Sequence, residues 1–153
     1  MIPSPQCSLF IRGWEACSLT PYRDQAGRWT IGWGHLLQPG DPLLPITQAE
    51  ADALFEYELL HVGDAVDALV PKDTWLAQCE FDACVSLTFN IGLPRFARST
   101  LLRRLNAGGD AASQFLAWDK VTIGGVLTTS KGLHRRRYAE MMMFLYADYS
   151  GRP

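Results

Sequence analysis

The sequence predicts an α+β fold in which a small hairpin lobe near the N-terminus is joined by a long helix to a larger helical lobe. Three observations carry that expectation. Residues 29–34 alternate large and small side chains behind a turn, which is the period of a strand. Thr47-Gln48-Ala49-Glu50 reads as a capping box, a helix start, and the helical pattern behind it closes at Pro71. Beyond Pro71 the pattern is helical throughout, punctuated by Gly92, Gly108-Gly109 and Gly124-Gly125.

Taken in order, Ser4-Pro5 supplies a capping hydroxyl and a proline at the first helical position. Leu9, Phe10 and Trp14 recur at helical spacing, so a first helix is expected to run to about Glu15. In the segment LTPYRDQAGRWTIGWGH, Pro21 and the turn Asp24-Gln25-Ala26-Gly27 frame short strands in a hairpin. Trp29, Ile31 and Trp33 would share a core face. Thr30, Gly32 and Gly34 would share a face bare enough for a ligand to approach the backbone. Gln38 to Pro45 reads as a loop. The helix from the capping box to about Val70 would be on the order of 35 Å long, with a bend at Gly63. Further helices are expected over about 73–91, 99–107, 110–118 and 131–148. The lobes would then be about 1–46 and about 71–149, with the connecting helix about 47–70 between them.

The 153 residues suit one compact domain, and 48% hydrophobic against 20% charged residues permits a filled core. The net charge of -2 hides an asymmetry. Residues 1–90 hold 4 Lys and Arg against 12 Asp and Glu, whereas residues 91–153 hold 10 against 4. Such surfaces meet anionic wall polymers, nucleic acid or membrane, and charge alone does not choose among them. The sequence has no run of about 18 apolar residues, so no transmembrane span is expected. The start, MIPSPQCSLFIRGWEA, has neither the basic end nor the apolar run of a signal peptide. Cys7, Cys17, Cys79 and Cys84 form no C-x-x-C pair, and free thiols are the favoured reading. Arg135-Arg136-Arg137 ahead of Met141-Met142-Met143 raises a membrane-disturbing cationic helix, but a core helix with a basic outer face is favoured.

Glu15, Asp24 and Thr30 place two carboxyls and a hydroxyl around this hairpin. Glycosidic cleavage needs an acid for the leaving oxygen and a second group for the nucleophile. Asp24, in a turn, is suited to stay ionised, and the Thr30 hydroxyl could help it hold water. Without more, surface charges would be the reading.

The spacing Glu15, eight residues, Asp24, five residues, Thr30 resembles the catalytic signature of the phage-type lysozymes, glycoside hydrolase family 24. YRDQAGRWTIGWGH is similar to that family's strand-turn-strand segment. The resemblance continues in order through TQAEADALF, SLTFNIG at 86–92, STLLRRLNAG at 99–108, FLAW at 115–118 and GLHRRRYAE at 132–140. It implies the two-lobe lysozyme-like fold with a cleft between the lobes. It also implies hydrolysis, with inversion, of the β-1,4 bond between N-acetylmuramic acid and N-acetylglucosamine.

By the same resemblance, Glu15 is the general acid while Asp24 and Thr30 position water. Leu36, Phe89 and Ser99 match substrate-contacting positions, although core packing for the first two and a helix cap for Ser99 explain them as well. Arg136 matches an arginine that pairs with the catalytic glutamate, and His35 would pair structurally with Glu58. The implied partners are the glycan strands of peptidoglycan, with no nucleic acid, no stable membrane insertion, no metal and no cofactor. A monomeric endolysin is expected, held in the host cytoplasm until a separate holin releases it to the periplasm and wall. Ala16 departs from the family's glycine after the glutamate, and Trp33 stands where tyrosine or an aliphatic residue is common. A lytic transglycosylase, a chitinase and an inactive wall-binding protein are the alternatives.

Overall fold

A computed structural model describes residues 1–24 and 26–151, so Gln25 of the expected turn lies outside the described residues. Helix α1 (Pro5–Arg12) is capped by Ser4, whose hydroxyl accepts the Cys7 N–H at 3.1 Å. It stops three residues before the expected end. Gly13 relaxes the helix into a turn in which the N–H groups of Trp14 and Glu15 both reach the Ile11 carbonyl. Strands β1 (Ser18–Arg23), β2 (Trp29–Gly32) and β3 (His35–Leu36) form one antiparallel sheet in the order β1-β2-β3. Thr30 sits in the central strand, paired with Tyr22 on one side and Leu36 on the other.

The expected alternation of faces holds only in part. Ile31 and Thr30 are both 2% exposed, and β2 ends at Gly32, which adopts a positive φ. A side chain at Gly32 would meet Ala51 of the next helix, so this part of the bare face is covered by protein. Gly34 keeps the open space expected of it.

Helix α2 (Gln48–Leu69) begins as the capping box requires. The Thr47 hydroxyl accepts the Glu50 N–H, and Glu50 accepts the Thr47 N–H at 2.7 Å. Gly63 does not interrupt it. Instead Gly63 lets the N-terminal segment lie against the helix, since a Cβ there would stand 2.5 Å from Pro3.

Helix α3 (Gln78–Ile91) starts later than expected, because residues 71–74 close a turn by the Thr74 N–H to the Pro71 carbonyl. Every residue from Phe81 to Thr88 is buried, so α3 is the central post of the fold. Helices α4 (Leu93–Ala97) and α5 (Thr100–Asn106) follow, and Ala112–Trp118 forms a 3-10 segment rather than an α-helix. The expectation of helix throughout fails at β4 (Lys120–Ile123) and β5 (Val126–Thr129). Gly124 and Gly125, both at positive φ, turn this second hairpin, the pattern of a tight two-residue loop. Helix α6 (Lys131–Tyr146) packs along α3 and completes the core.

That core gathers Phe10 and Ile11 of α1 with Phe55, Phe81, Leu87, Phe96, Leu101, Phe115 and Met143. The first helix, expected in a lobe of about 1–46 with the strands, therefore packs on α3. Asp82 of α3 fixes it there, accepting the Ser4 N–H at 3.1 Å and the Ser4 hydroxyl at 2.5 Å. The strands reach this body through a run of rings, Trp33 to Phe55 at 6.2 Å and Phe55 to Phe89 at 5.3 Å. The guanidinium of Arg12 lies over both Trp33 and Phe55. All four cysteines are free thiols, with Cys7 and Cys84 buried.

Candidate active site

Glu15 leaves the turn after α1 with its side chain about a quarter exposed. Its Oε1 accepts a hydrogen bond from Nη1 of Arg136 at 2.6 Å, a contact between the start of the chain and α6. Among the described residues this is the one hydrogen-bond partner of the Glu15 carboxyl. Ala16 takes its place without strain: the one non-glycine residue at positive φ among those described is Ala147.

Arg136 is itself held from behind, because burial leaves it little water to bond. Its Nε lies 3.3 Å from Oε1 of Glu140, one turn along α6. The same oxygen accepts Nη2 of Arg137 and the hydroxyl of Ser86, each at 2.8 Å. Arg137 also donates to Asn90 on α3. Glu140 and Arg137 are wholly buried. Burial pushes the Glu140 carboxyl up, and the two guanidiniums oppose that push. Sequence reasoning missed this network. Its visible signal was Arg136-Arg137-x-x-Glu140, a spacing of three and four on one helix face. Two of the three consecutive arginines thus point inward, which removes most of the basic outer face expected of α6.

Asp24 is surrounded by donors. Oδ1 accepts the backbone N–H groups of Ala26 and Arg28 at 2.8 and 2.9 Å. Oδ2 accepts Nε and Nη2 of Arg28 at 2.9 and 2.8 Å. The Arg28 N–H holds the Asp24 carboxyl below the ordinary carboxylate range, helped by the Arg28 guanidinium and the Ala26 N–H against a smaller cost of burial. Thr30 donates to the Arg28 carbonyl at 3.1 Å, which leaves the lone pairs of its hydroxyl for another donor. Tyr22 pairs with Thr30 across the sheet. Its phenol is pushed up first by burial, then by the carboxylates of Asp24 and Glu15. Of the three sequence-predicted catalytic residues, Thr30 is the one paired with Tyr22 in the sheet, and Asp24 follows β1 at the turn.

The remaining expected residues fall into two groups. Leu36 and Phe89 come from the sheet and from α3, yet they line one groove of about 520 Å³ together with Gly34, Gln38, Tyr57 and His61. His35 Nδ1 lies 2.7 Å from Glu58, joining β3 to α2 beside that groove. Ser99, by contrast, is 5% exposed and caps α5, its hydroxyl accepting the Leu102 N–H at 3.0 Å. Trp33 donates to Asp52 of α2 at 2.8 Å, so its indole is anchored rather than simply packed. Among the described residues no cluster of three His, Cys, Asp or Glu side chains could hold a metal, and no helix is long and apolar enough to cross a membrane.

Comparison with known proteins gives this arrangement a setting. The family model described as phage lysozyme matches residues 12–140. An endolysin of Acyrthosiphon pisum secondary endosymbiont phage 1 is 37% identical over 140 residues, covering 89% of this chain and 92% of that one. The solved endolysin from Escherichia coli O157:H7 phage FAHEc1 superposes with a TM-score of 0.86 at 34% identity, covering 97% of this chain and 96% of that one. The muramidase domain of SpmX from Asticaccaulis excentricus does so at 0.84 and 35%, covering 93% and 96%.

Proposed function

The chain belongs to the phage lysozyme family, and on that premise we propose that it hydrolyses the β-1,4 bond between N-acetylmuramic acid and N-acetylglucosamine with inversion. As a lysozyme it is a glycoside hydrolase directed at peptidoglycan; the bond, the stereochemistry and the roles of its residues are our reading. Glu15 delivers the proton to the leaving glycosidic oxygen. A water held by Asp24 and Thr30 attacks the anomeric carbon from the opposite face, and its proton passes toward the Asp24 carboxylate. Leu36 and Phe89 contact the glycan from the two sides of the groove, with Ser99 a further contact through the oxygen that caps α5. Arg136 supports Glu15, and the His35–Glu58 pair fixes β3 on α2.

One observation carries these roles: the two acids are unlike. Asp24 is held ionised by four donors, which suits a base or a water holder. Glu15 has one oxygen on Arg136 and the other open for a proton bound for substrate. Inverting glycosidases use such a division of labour, with room for water between the carboxyls.

In the cell we propose a monomeric endolysin that waits in the host cytoplasm until a holin opens the membrane, then lyses the host from the periplasm and wall. Mass spectrometry of muropeptides released from purified sacculi tests the chemistry. New reducing ends from the parent, and none from Glu15→Gln, are expected. Products ending in 1,6-anhydromuramic acid would mean a transglycosylase, and equal lysis by the Glu15→Gln variant would remove Glu15 from the reaction. The anomer first formed, followed by NMR, decides inversion against retention.

A further inference from the structure

The carboxylate of Asp24 has no free acceptor position. Two backbone N–H groups fill Oδ1 and two guanidinium N–H groups fill Oδ2, which uses the four lone-pair sites of the group. A water molecule cannot donate to it until one of these bonds opens. The backbone donors, the N–H groups of Ala26 and Arg28, belong to the main chain. Arg28 is the donor that can move: its side chain is 61% exposed, against 20% for Asp24. Beside it lies a groove of about 650 Å³, walled by Arg23, Trp29 and the loop from Leu37 to Leu43, into which a guanidinium can swing.

We propose that Arg28 is a positioning residue of the hydrolysis, which holds the Asp24 carboxylate aimed through Oδ2 and cedes one Oδ2 position to the attacking water. The proposal rests on the assignment of Asp24 above. The position closes the turn, its carbonyl accepting the Asp24 N–H at 2.9 Å. The Asp24-x-x-x-Arg28 spacing brings the guanidinium back onto the carboxylate.

The other charged groups around Asp24 do not duplicate this role. Arg23 is turned away, donating to the Gly27 carbonyl and lying over the Trp29 ring at 4.5 Å. Asp24, Glu15 and Cys17 act on Tyr22 by charge, each pushing its phenol up after burial does. From α6, Arg136 is committed to Glu15 and Glu140. Arg28 is therefore the cation that tunes Asp24.

The sign follows from the direction of the shift. A carboxyl held below its ordinary range stays ionised to lower pH, so activity that needs it ionised persists into acid. Removing the guanidinium, while the Ala26 and Arg28 backbone donors remain, moves the acid limb of the pH profile to higher pH.

The test compares kcat and KM on solubilised glycan strands across pH for the parent, Arg28→Gln, Arg28→Lys and Asp24→Asn, with a thermal melt of each. At the acid pH where the parent keeps half its rate, the Arg28→Gln variant is expected to keep on the order of a fifth, in kcat rather than KM. Arg28→Lys should recover part of that loss by restoring the charge without the paired donors. An acid limb unmoved in a folded Arg28→Gln variant overturns the proposal. If that variant does not fold, the Arg28→Lys profile decides, and a limb identical to the parent's overturns it equally. An Asp24→Asn variant as active as the parent would instead remove the premise about Asp24. An inactive Asp24→Asn beside an unmoved Arg28→Gln limb would sink only the role of Arg28.

Discussion

Replacing Glu140 by alanine should be among the most destabilising single changes in this protein. The carboxylate is fully buried, and so is Arg137; Arg136 is 5% exposed. Glu140 Oε1 is the shared acceptor of both guanidiniums and of the Ser86 hydroxyl. Without it the two guanidiniums lose their shared anion: Arg136 keeps Glu15, and Arg137 keeps only its bond to Asn90. Breaking a buried ion pair by removing one partner costs about 3–5 kcal/mol, because the other charge stays buried. For a domain of this size each kcal/mol lowers Tm by about 2–4 °C, so a fall of about 6–20 °C is expected. Thermal unfolding followed by circular dichroism reads it directly. A double change, Glu140→Leu with Arg137→Met, should cost less than Glu140→Ala alone, since apolar side chains of similar volume leave no charge stranded. A Glu140→Ala variant that melts within about 2 °C of the parent would refute the idea that this carboxylate compensates the two arginines.

Two further outcomes follow from titratable groups away from the triad. Asp119, at the base of the β4–β5 hairpin, is held below the ordinary carboxylate range chiefly by His134 at 2.8 Å, with Lys120 adding to it against burial. A depressed folded value means stabilisation that is complete above the unfolded pKa of about 3.9 and lost as pH falls through the folded one. Asp119→Asn should thus cost about 1 kcal/mol at neutral pH, limited by the half-exposed His134. Urea unfolding at several pH values should show that gap closing in acid. Burial also pushes the thiols of Cys7 and Cys84 well above their ordinary value. Brief alkylation of the native protein should label Cys17 and Cys79 only, and unfolding should expose all four to mass-spectrometric detection; native labelling of Cys84 would contradict the packing of α3.

What could be read from the sequence was mostly local. The capping box at Thr47–Glu50 and the proline start of α1 act through atoms three residues apart, so pattern alone located them. The same pattern overran at Gly13, where a turn with helix-like bonds replaces helix. It also misread Gly124-Gly125 as a break between helices. The flanking Val121-Thr122-Ile123 and Val126-Leu127-Thr128 are β-branched enough to have marked a hairpin. The triad and the Arg136–Glu15 pair were accessible through family resemblance, since no periodicity relates residues 121 positions apart. Arg28 escaped because a turn cation four residues from an acid reads as an ordinary surface pair. Glu140 escaped because which face of α6 turns inward depends on Ser86 and Asn90 of α3, a matter of packing.

The bond between Glu15 and Arg136 also bears on when the enzyme exists at all. A ribosome delivers Glu15, Asp24 and Thr30 more than a hundred residues before Arg136, with α6 following the other described helices in chain order. A nascent or prematurely ended chain can carry the entire triad and still leave Glu15 without its cation and α3 without the helix that covers it. The pair Glu15–Arg136 is thereby complete only once α6 has docked on α3.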